Sequence, residues 1–204
     1  HTAYRRQRQM CIRDSLKLLY ETGAVLDGHF ILSSGKHAGR YIQCAKVLET
    51  PRRAELLGRE LAARIDTEVD RVISPPLGGI LIGYEVARAL DRPFLFPERG
   101  VDGKLCLRRG FTLQADERVL IVEDVITTGR TTHEVLEILA DCGATPVGVL
   151  AIVDRSSTHE VTDIPICSLV TLTFPIYEPE ACPMCAQGLP AYRPGSRPSL
   201  AATH

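Results

Sequence analysis

The stretch Val119–Thr132, which reads VLIVEDVITTGRTT, decides the fold of this chain. Its first four residues are apolar, as is typical of a strand that is buried on both faces of a parallel sheet. Two adjacent acids, Glu123 and Asp124, are expected to end the strand, and a Thr/Gly loop then leads into a helix over residues 131–142. This order predicts a phosphate site, because the N–H groups and the dipole of a helix N-terminus favour an anion.

The residue types in this loop suit a sugar phosphate. Backbone N–H groups of Thr128–Thr131 would meet the phosphate, and Gly129 would let the backbone come close. The carboxylates of Glu123 and Asp124 would accept hydrogen bonds from ribose hydroxyls or lie near a Mg²⁺ ion. The loop is not a P-loop, because it lacks the G-x-x-x-x-G-K-[ST] spacing. The alternative interpretation is an ordinary strand-to-helix turn with a Thr N-cap and two solvated acids.

Strand and helix patterns alternate on both sides of this loop. Apolar runs predict strands at residues 71–74, 93–96, 118–122, 146–153 and 166–172, and helical spacing predicts helices at 15–22, 51–65, 79–90 and 131–142. Thr50 and Pro51 are expected as the N-cap and first residue of the second helix, and Gly143 as a left-handed C-cap. The pattern predicts an α/β fold with a central parallel sheet flanked by helices, whose ligands bind beyond the carboxyl ends of the strands.

Composition excludes several classes of protein. The 204 residues are 45% hydrophobic and 24% charged, and the net charge of −1 provides no global attraction to nucleic acid or anionic lipid. No apolar run approaches the ~18 residues that a membrane-spanning helix needs. Seven cysteines without a secretory signal favour reduced thiols and a cytoplasmic location.

Three regions are expected along the chain. Residues 1–14, which carry four arginines, are expected to be a non-native or disordered arm, with a nucleic-acid-binding arm as the alternative. Residues 15–174 are expected to form the domain, with a small hood at about 15–50. Residues 175–204 are rich in Pro and Gly and are expected to be an extended tail without a core of its own.

The complete run from Val119 to Thr132 resembles the phosphoribosyl pyrophosphate (PRPP) loop of type I phosphoribosyltransferases. Residues Gly28–Gln43, GHFILSSGKHAGRYIQ, resemble the base-covering segment of the orotate phosphoribosyltransferase family, and the likeness continues through Val72–Gly79 and Leu150–Ser156. The resemblance implies a type I phosphoribosyltransferase fold and transfer of the 5-phosphoribosyl group from PRPP to orotate, giving orotidine 5′-monophosphate and pyrophosphate. It also implies Mg²⁺ as cofactor, a role in pyrimidine biosynthesis, and a homodimer without nucleic-acid or membrane partners.

The resemblance also implies site residues. PRPP would be bound by Glu123, Asp124, Val125, Ile126, Thr127, Thr128, Gly129, Arg130 and Thr131. Orotate would contact Thr127, Arg155, Ser33, Ser34, Tyr41 and Ile42, and the planar fork of Arg155 suits the orotate carboxylate. The pyrophosphate turn would be Pro76, Leu77, Gly78 and Gly79, which lacks the Tyr-Lys pair of the better-known bacterial pattern. Alternatively, Arg155 forms a surface ion pair with Asp154, and an amphipathic strand buries Tyr41.

The resemblance implies a mobile loop at Glu98–Phe111, which in the family closes over the neighbouring subunit's active site. The usual R-K-x-x-K-x-H-G pattern is missing here. Lys104, the only lysine after residue 46, is the candidate closing cation, with Arg99 second and Asp124 as the third candidate catalytic residue. A solvated hairpin with scattered charges is the alternative.

The tail carries Cys182 and Cys185 at metal-ligand spacing. One C-x-x-C pair supplies only two of the four ligands that a structural zinc ion needs. Two interpretations therefore remain for the tail: zinc bound between two subunits, or a packed or redox-neutral tail. The sequence assigns no residue as a definite metal ligand. His29 and His37 are interpreted as surface or packing histidines.

Two other functions remain open from the residues alone. The PRPP loop would also suit a purine phosphoribosyltransferase, although the hood segment and Arg155 argue against this, because a purine has no carboxylate. A non-catalytic PRPP-sensing regulator would more often carry a basic face and an added nucleic-acid-binding domain.

Overall fold

A five-stranded parallel sheet forms the centre of the molecule, in the strand order β4-β3-β7-β8-β9. The computed structural model describes residues 14–156 and 162–194, so residues 1–13 of the arm expected at 1–14 and the last ten residues lie outside the described part. The strands are β1 (Val25–Ile31), β2 (His37–Ile42), β3 (Arg71–Ile73), β4 (Phe94–Leu95), β5 (Glu98–Arg99), β6 (Leu105–Cys106), β7 (Arg118–Ile126), β8 (Thr145–Asp154), β9 (Ile166–Thr171) and β10 (Ile176–Tyr177). The helices are α1 (14–21), α2 (Ala45–Leu48), α3 (Pro51–Ala62), α4 (Gly78–Leu90), α5 (Arg130–Cys142) and α6 (Pro183–Ala186).

Side chains that alternate along β7 divide the core into two layers. Leu120 and Val122 face the layer that contains helices α3 and α4, whereas Val119 and Ile121 face the layer that contains α5. All four side chains are fully buried. Burial on both faces confirms the parallel sheet with flanking helices that the continuous apolar run predicts.

Element ends differ from the expected ones in places. β7 continues beyond Val122 to Ile126, because its pairing with β8 extends through Glu123↔Ala151 and Ile126↔Asp154. The two acids therefore lie within the strand, and the expectation that they end it was wrong: backbone pairing does not require apolar side chains. Thr50 and Pro51 do begin α3, although that helix ends at Ala62 rather than residue 65, and Gly143 is the left-handed C-cap of α5.

The predicted hood is an antiparallel hairpin of β1 and β2, and β10 pairs with the other side of β2. The tail is thus only partly extended. It adds a strand to the hood, forms a 3-10 turn at Pro179–Ala181 and the short α6, and buries Cys182. Within residues 14–156 and 162–194, no helix has the length and apolar character needed to cross a membrane.

A close contact between α3 and α4 depends on Gly58. A Cβ atom at this position would lie 2.6 Å from Glu85 Cβ and 2.8 Å from its carbonyl carbon, so a larger residue would force the two helices apart. Replacing Gly58 with Ala should lower the free energy of unfolding by about 1–3 kcal/mol. Helix propensity alone predicts the opposite, a gain of about 1 kcal/mol.

Urea unfolding followed by circular dichroism would measure this change. Gly39→Ala is the matched control, since a Cβ there would meet only Met184 Sδ at 3.7 Å and the Gly28 carbonyl oxygen at 3.9 Å, which are ordinary contacts. A Gly58→Ala variant as stable as the wild type would mean that the helices adjust at no cost.

Candidate active site

The phosphate loop lies between the carboxyl end of β7 and the first turn of α5. Gly129, the N-cap of α5, has φ 71°, a left-handed conformation that glycine adopts without strain. Thr127 and Thr128 are exposed, whereas the backbone at Gly129 is buried and its carbonyl accepts from the His133 N–H at 2.9 Å. The loop thus presents hydroxyl and N–H donors at an open helix N-terminus, where a phosphate is favoured.

Strand alternation sends Glu123 and Asp124 to opposite faces of the sheet. Glu123 points towards α5, where the Thr132 hydroxyl donates to Glu123 Oε1 at 3.1 Å. Burial and, to a lesser degree, the nearby Asp124 charge together raise the pKa of Glu123 to about 8, against the Thr132 hydrogen bond, which lowers it. Burial also raises the pKa of Asp124, against backbone N–H donors that lower it. These acids are poorly solvated and would be stabilised by ribose hydroxyls or a cation.

The pyrophosphate turn meets Asp124 at the start of α4. A Cβ atom at Gly78 would lie 2.4 Å from Asp124 Oδ2, and one at Gly79 would lie 2.9 Å from the Val122 carbonyl oxygen. Only glycine at these two positions lets the N-terminus of α4 approach the acidic end of β7. The preceding Leu77 is 80% exposed. Two segments predicted separately from the sequence therefore form one surface.

The hood contributes Tyr41 to the same region. Tyr41 is half-buried, and burial together with the negative charge of Asp124 raises its pKa, whereas the positive charge of Arg155 lowers it. The tyrosine therefore lies within electrostatic reach of both groups. Cys44, just after β2, lies with its Sγ 3.7 Å from the Asp124 carbonyl oxygen and so connects the hood to β7.

Arg155 follows β8 and lies beside the phosphate loop. Its backbone N–H donates to the Ile126 carbonyl at 2.8 Å, and its guanidinium carbon lies 4.7 Å from the centre of the Phe174 ring. Burial lowers the pKa of Arg155, which nevertheless stays protonated at neutral pH because an arginine guanidinium is so basic. The neighbouring Asp154 accepts from the Ser156 N–H and hydroxyl. A guanidinium that lies over an aromatic ring at a strand end can bind a planar anion with its planar fork.

Other residues predicted for the orotate site lie elsewhere. Ile42 is buried in the core, on the opposite face of β2 from Tyr41, so only its backbone remains a candidate for base contact. Ser33 and Ser34 are exposed in the turn at the far end of the hairpin from Tyr41. Phe174 contacts Arg155, but the sequence contains no indication of this contact other than an aromatic residue that follows a strand.

The segment expected as a mobile loop contains the β5–β6 hairpin. Lys104 is exposed in its turn, while Arg99 donates to the Gly103 carbonyl at 2.7 Å and to Glu134 of α5 at 2.9 Å. Arg109 pairs with Glu98. The segment thus contains a hairpin with Lys104 in its turn, and Arg99 connects the hairpin to α5. The catalytic role of Lys104 stays a prediction.

Replacing Glu123 with Gln should reduce the dependence of stability on pH. The pKa of Glu123 is about 8 in the fold against an ordinary 4.5, so between these values the folded state holds a proton that the unfolded state lacks. Its stabilising contribution is therefore complete below about pH 4.5 and is lost as the pH rises to about 8. The melting temperature of Glu123→Gln should accordingly fall less than that of the wild type between these limits.

Thermal unfolding at a series of pH values would test this, with Glu137→Gln as the control. Glu137 is an exposed carboxylate on the same helix as Thr132, and its loss should leave the wild-type slope intact. Parallel curves for the wild type and Glu123→Gln would contradict the assignment.

Comparison with known proteins identifies the family of the chain. The phosphoribosyl transferase domain family matches residues 45–179. Orotate phosphoribosyltransferases from Desulforamulus reducens and Thermotoga maritima are 49% and 47% identical over 183 and 182 residues; both alignments cover 89% of this chain, and 95% and 97% of those proteins respectively. The crystal structure of orotate phosphoribosyltransferase from Aeropyrum pernix superposes with a TM-score of 0.64 at 30% identity, covering 76% of this chain and 92% of that one. The chain belongs to the orotate phosphoribosyltransferase family.

Proposed function

We propose that this chain transfers the 5-phosphoribosyl group of PRPP to orotate, giving orotidine 5′-monophosphate and pyrophosphate in pyrimidine biosynthesis. The observation that carries the proposal is the meeting of two kinds of group at one edge of the sheet. The acids and helix N-terminus after β7 suit a ribose phosphate, and the Tyr41–Arg155 pair beside them suits a flat, anionic base.

PRPP would lie across the ends of β7 and β3. The 5′-phosphate would accept hydrogen bonds from the loop Thr127–Thr131, and the ribose hydroxyls would donate to Glu123 and Asp124. The diphosphate would lie against the glycines that begin α4, where no side chain blocks the backbone N–H groups. Without a lysine in this turn, the backbone N–H groups carry more of the diphosphate binding.

The donor set also fits Mg²⁺, which the family uses. Glu123 and Asp124 are carboxylates whose pKa values are raised by burial, so a cation beside them would offset the cost of burying their charge, and Mg²⁺ prefers such oxygen ligands together with substrate phosphates. When bound, Mg²⁺ would neutralise charge on the departing pyrophosphate. The residues that would hold it, directly or through water, are these two acids.

The protein's part in the reaction would be positioning and exclusion of water. Arg155 would pair with the orotate carboxylate and Tyr41 would lie beside the ring, so that orotate N1 faces ribose C1. Displacement at C1 would pass through an oxocarbenium-like transition state, with the electron pair of the broken C–O bond leaving on pyrophosphate. Closure of the Glu98–Phe111 segment would keep water out, because hydrolysis of PRPP is the competing reaction.

Two further features belong to the proposal. A homodimer would let the segment carrying Lys104 close over the active site of the neighbouring subunit, as the family resemblance implies. A cytoplasmic location would keep reduced the cysteines of the described residues, which are all free thiols.

The first experiment is a spectrophotometric assay of orotate loss with PRPP and Mg²⁺, run beside adenine, hypoxanthine, guanine and uracil. We expect consumption of orotate that depends on both PRPP and metal. Turnover of a purine instead would retain the phosphate site but overturn the proposed role of Arg155. PRPP binding without turnover of any base would favour a regulator.

Replacing Arg155 with Gln should lower kcat/KM for orotate by about 10- to 100-fold, the usual cost of losing a hydrogen bond to a charged group. Arg155→Lys keeps the charge but loses the planar fork, so it should recover only part of the loss. Arg88→Gln is the control, since Arg88 is an exposed arginine that pairs with Glu85 on α4. Wild-type kinetics in Arg155→Gln would remove this residue from the orotate site.

Replacing Lys104 with Ala should lower kcat on the order of 10²-fold, and should do so more than it raises KM for orotate, because its charge would act on the transition state. Lys17→Ala, which removes an exposed lysine that pairs with Glu21, should be neutral. Mixing Lys104→Ala with Arg155→Gln subunits should restore some activity if the loop acts across a dimer. An unchanged kcat in Lys104→Ala would exclude Lys104 from the mechanism.

A further inference from the structure

Four metal-binding side chains converge on the hood, where the tail packs against it. They are His29 of β1, His37 at the start of β2, and Cys182 and Cys185 at the two ends of one turn of α6. One ligand atom from each lies within 4.8 Å of the other three. The two histidines and Cys182 are buried, so of the two interpretations of the histidines, as surface or as packing residues, only packing agrees with the structure.

The spacing of these atoms approaches that of a tetrahedral site. Zinc with two nitrogen and two sulfur ligands would separate N from N by about 3.3 Å and N from S by about 3.6 Å. His29 Nε2 lies 2.8 Å from His37 Nδ1 and 3.5 Å from Cys182 Sγ. Cys185 Sγ lies 3.7 Å from His29 Nε2 and 3.3 Å from His37 Nδ1. These four separations are close to the tetrahedral values, and the other two are no longer than 4.8 Å. Shifts of about 1 Å or less would therefore give all four atoms ligand positions.

A second contact fixes how His29 presents its ring. His29 Nδ1 lies 2.8 Å from the Leu189 carbonyl oxygen, which can only accept, so Nδ1 carries the proton and donates it. The lone pair is then on Nε2, the atom that faces the cluster. Metal-binding histidines commonly donate their other N–H to a backbone carbonyl in this way.

We propose that His29, His37, Cys182 and Cys185 form a structural zinc site within a single subunit. Two sulfurs and two imidazole nitrogens in tetrahedral array are the donors that zinc prefers, and two thiolates would cancel the charge of Zn²⁺ in this largely buried position. All four ligands come from one chain, so zinc bound between two subunits is not needed. With no ligand position left for water or substrate, the site would be structural rather than catalytic.

The metal would bind the tail to the hood. β10 already pairs with β2 through Tyr177↔His37, and the Tyr192 N–H donates to the His29 carbonyl at 2.8 Å. These backbone contacts are few, and a Cys₂His₂ centre would fix segments about 150 residues apart in the chain. The ring of Phe30 packs between Tyr192 and Tyr41, at 6.5 Å and 5.8 Å, so the same clamp would support the hood face that carries Tyr41.

Metal analysis of the purified full chain tests the site without reference to its activity. By inductively coupled plasma mass spectrometry, the wild type should contain about one zinc per chain, the stoichiometry of a single four-ligand site. Cys185→Ser and His37→Gln should lose most of it. Cys106→Ser is the matched control, because Cys106 is a free cysteine of the β5–β6 hairpin, and it should retain the wild-type content.

Cobalt substitution would identify the ligands. Co²⁺ added to metal-free wild type should give thiolate charge-transfer and tetrahedral d–d absorption, with the charge-transfer intensity roughly halved in Cys185→Ser, which keeps one of the two thiolates. Chelation should lower the melting temperature of the wild type and of Cys106→Ser, and zinc should restore it.

Two results would overturn the proposal. Wild-type protein that contains no zinc and binds neither Zn²⁺ nor Co²⁺ would leave only a His29–His37 hydrogen bond beside two thiols. A disulfide between Cys182 and Cys185, revealed by thiol titration before and after reduction, would also exclude the site. Because the readouts are metal content and absorption, neither result depends on whether orotate is the substrate.

Discussion

The alternation of side chains at the carboxyl end of β7 is the constraint on which the active site depends. Because pairing with β8 continues past the apolar run, Glu123 and Asp124 are held in an extended backbone and point to opposite faces. One acid therefore meets Thr132 at the start of α5, and the other meets Gly78 at the start of α4. Two helix N-termini thus approach one pair of buried carboxylates, which combines anion-binding N–H groups with acceptors for hydroxyls or a cation.

The distribution of cations around this centre is sparse. The pyrophosphate turn has no lysine, Arg99 is engaged by Glu134, and Lys104 is exposed on a hairpin. In the proposed function, backbone N–H groups at the start of α4 therefore contribute more to diphosphate binding than side-chain charge does. On the proposed base side, Arg155 is the candidate cation, which lies over the Phe174 ring and within electrostatic reach of Tyr41. The proposed function thus places base selectivity on one arginine and phosphate binding largely on the backbone.

The hood and the tail form a second unit that supports the first. β10 adds a strand to the hood, and the His29, His37, Cys182 and Cys185 cluster lies where the tail turns back. Phe30 connects this region to Tyr41 through a tilted ring contact with Tyr41 and an edge contact with Tyr192. A metal at the cluster would hold a small sheet that otherwise has a thin core, since short β-structures need more than backbone pairing to be stable.

The sequence by itself determined the sheet, the flanking helices and the phosphate loop, because each rests on local pattern: apolar runs, helical spacing and the Thr/Gly loop after two acids. The apolar pattern nevertheless predicts an end of β7 that is too early, because strand pairing depends on the neighbouring strand rather than on hydrophobicity. Tertiary structure alone decided the contact of Gly78 with Asp124, the placement of Arg155 on Phe174, and the burial of His29 and His37 beside Cys182 and Cys185. These groups are far apart in the chain. No local sequence pattern predicts that the two-residue strand β10 pairs with β2 and so brings the tail back to the hood.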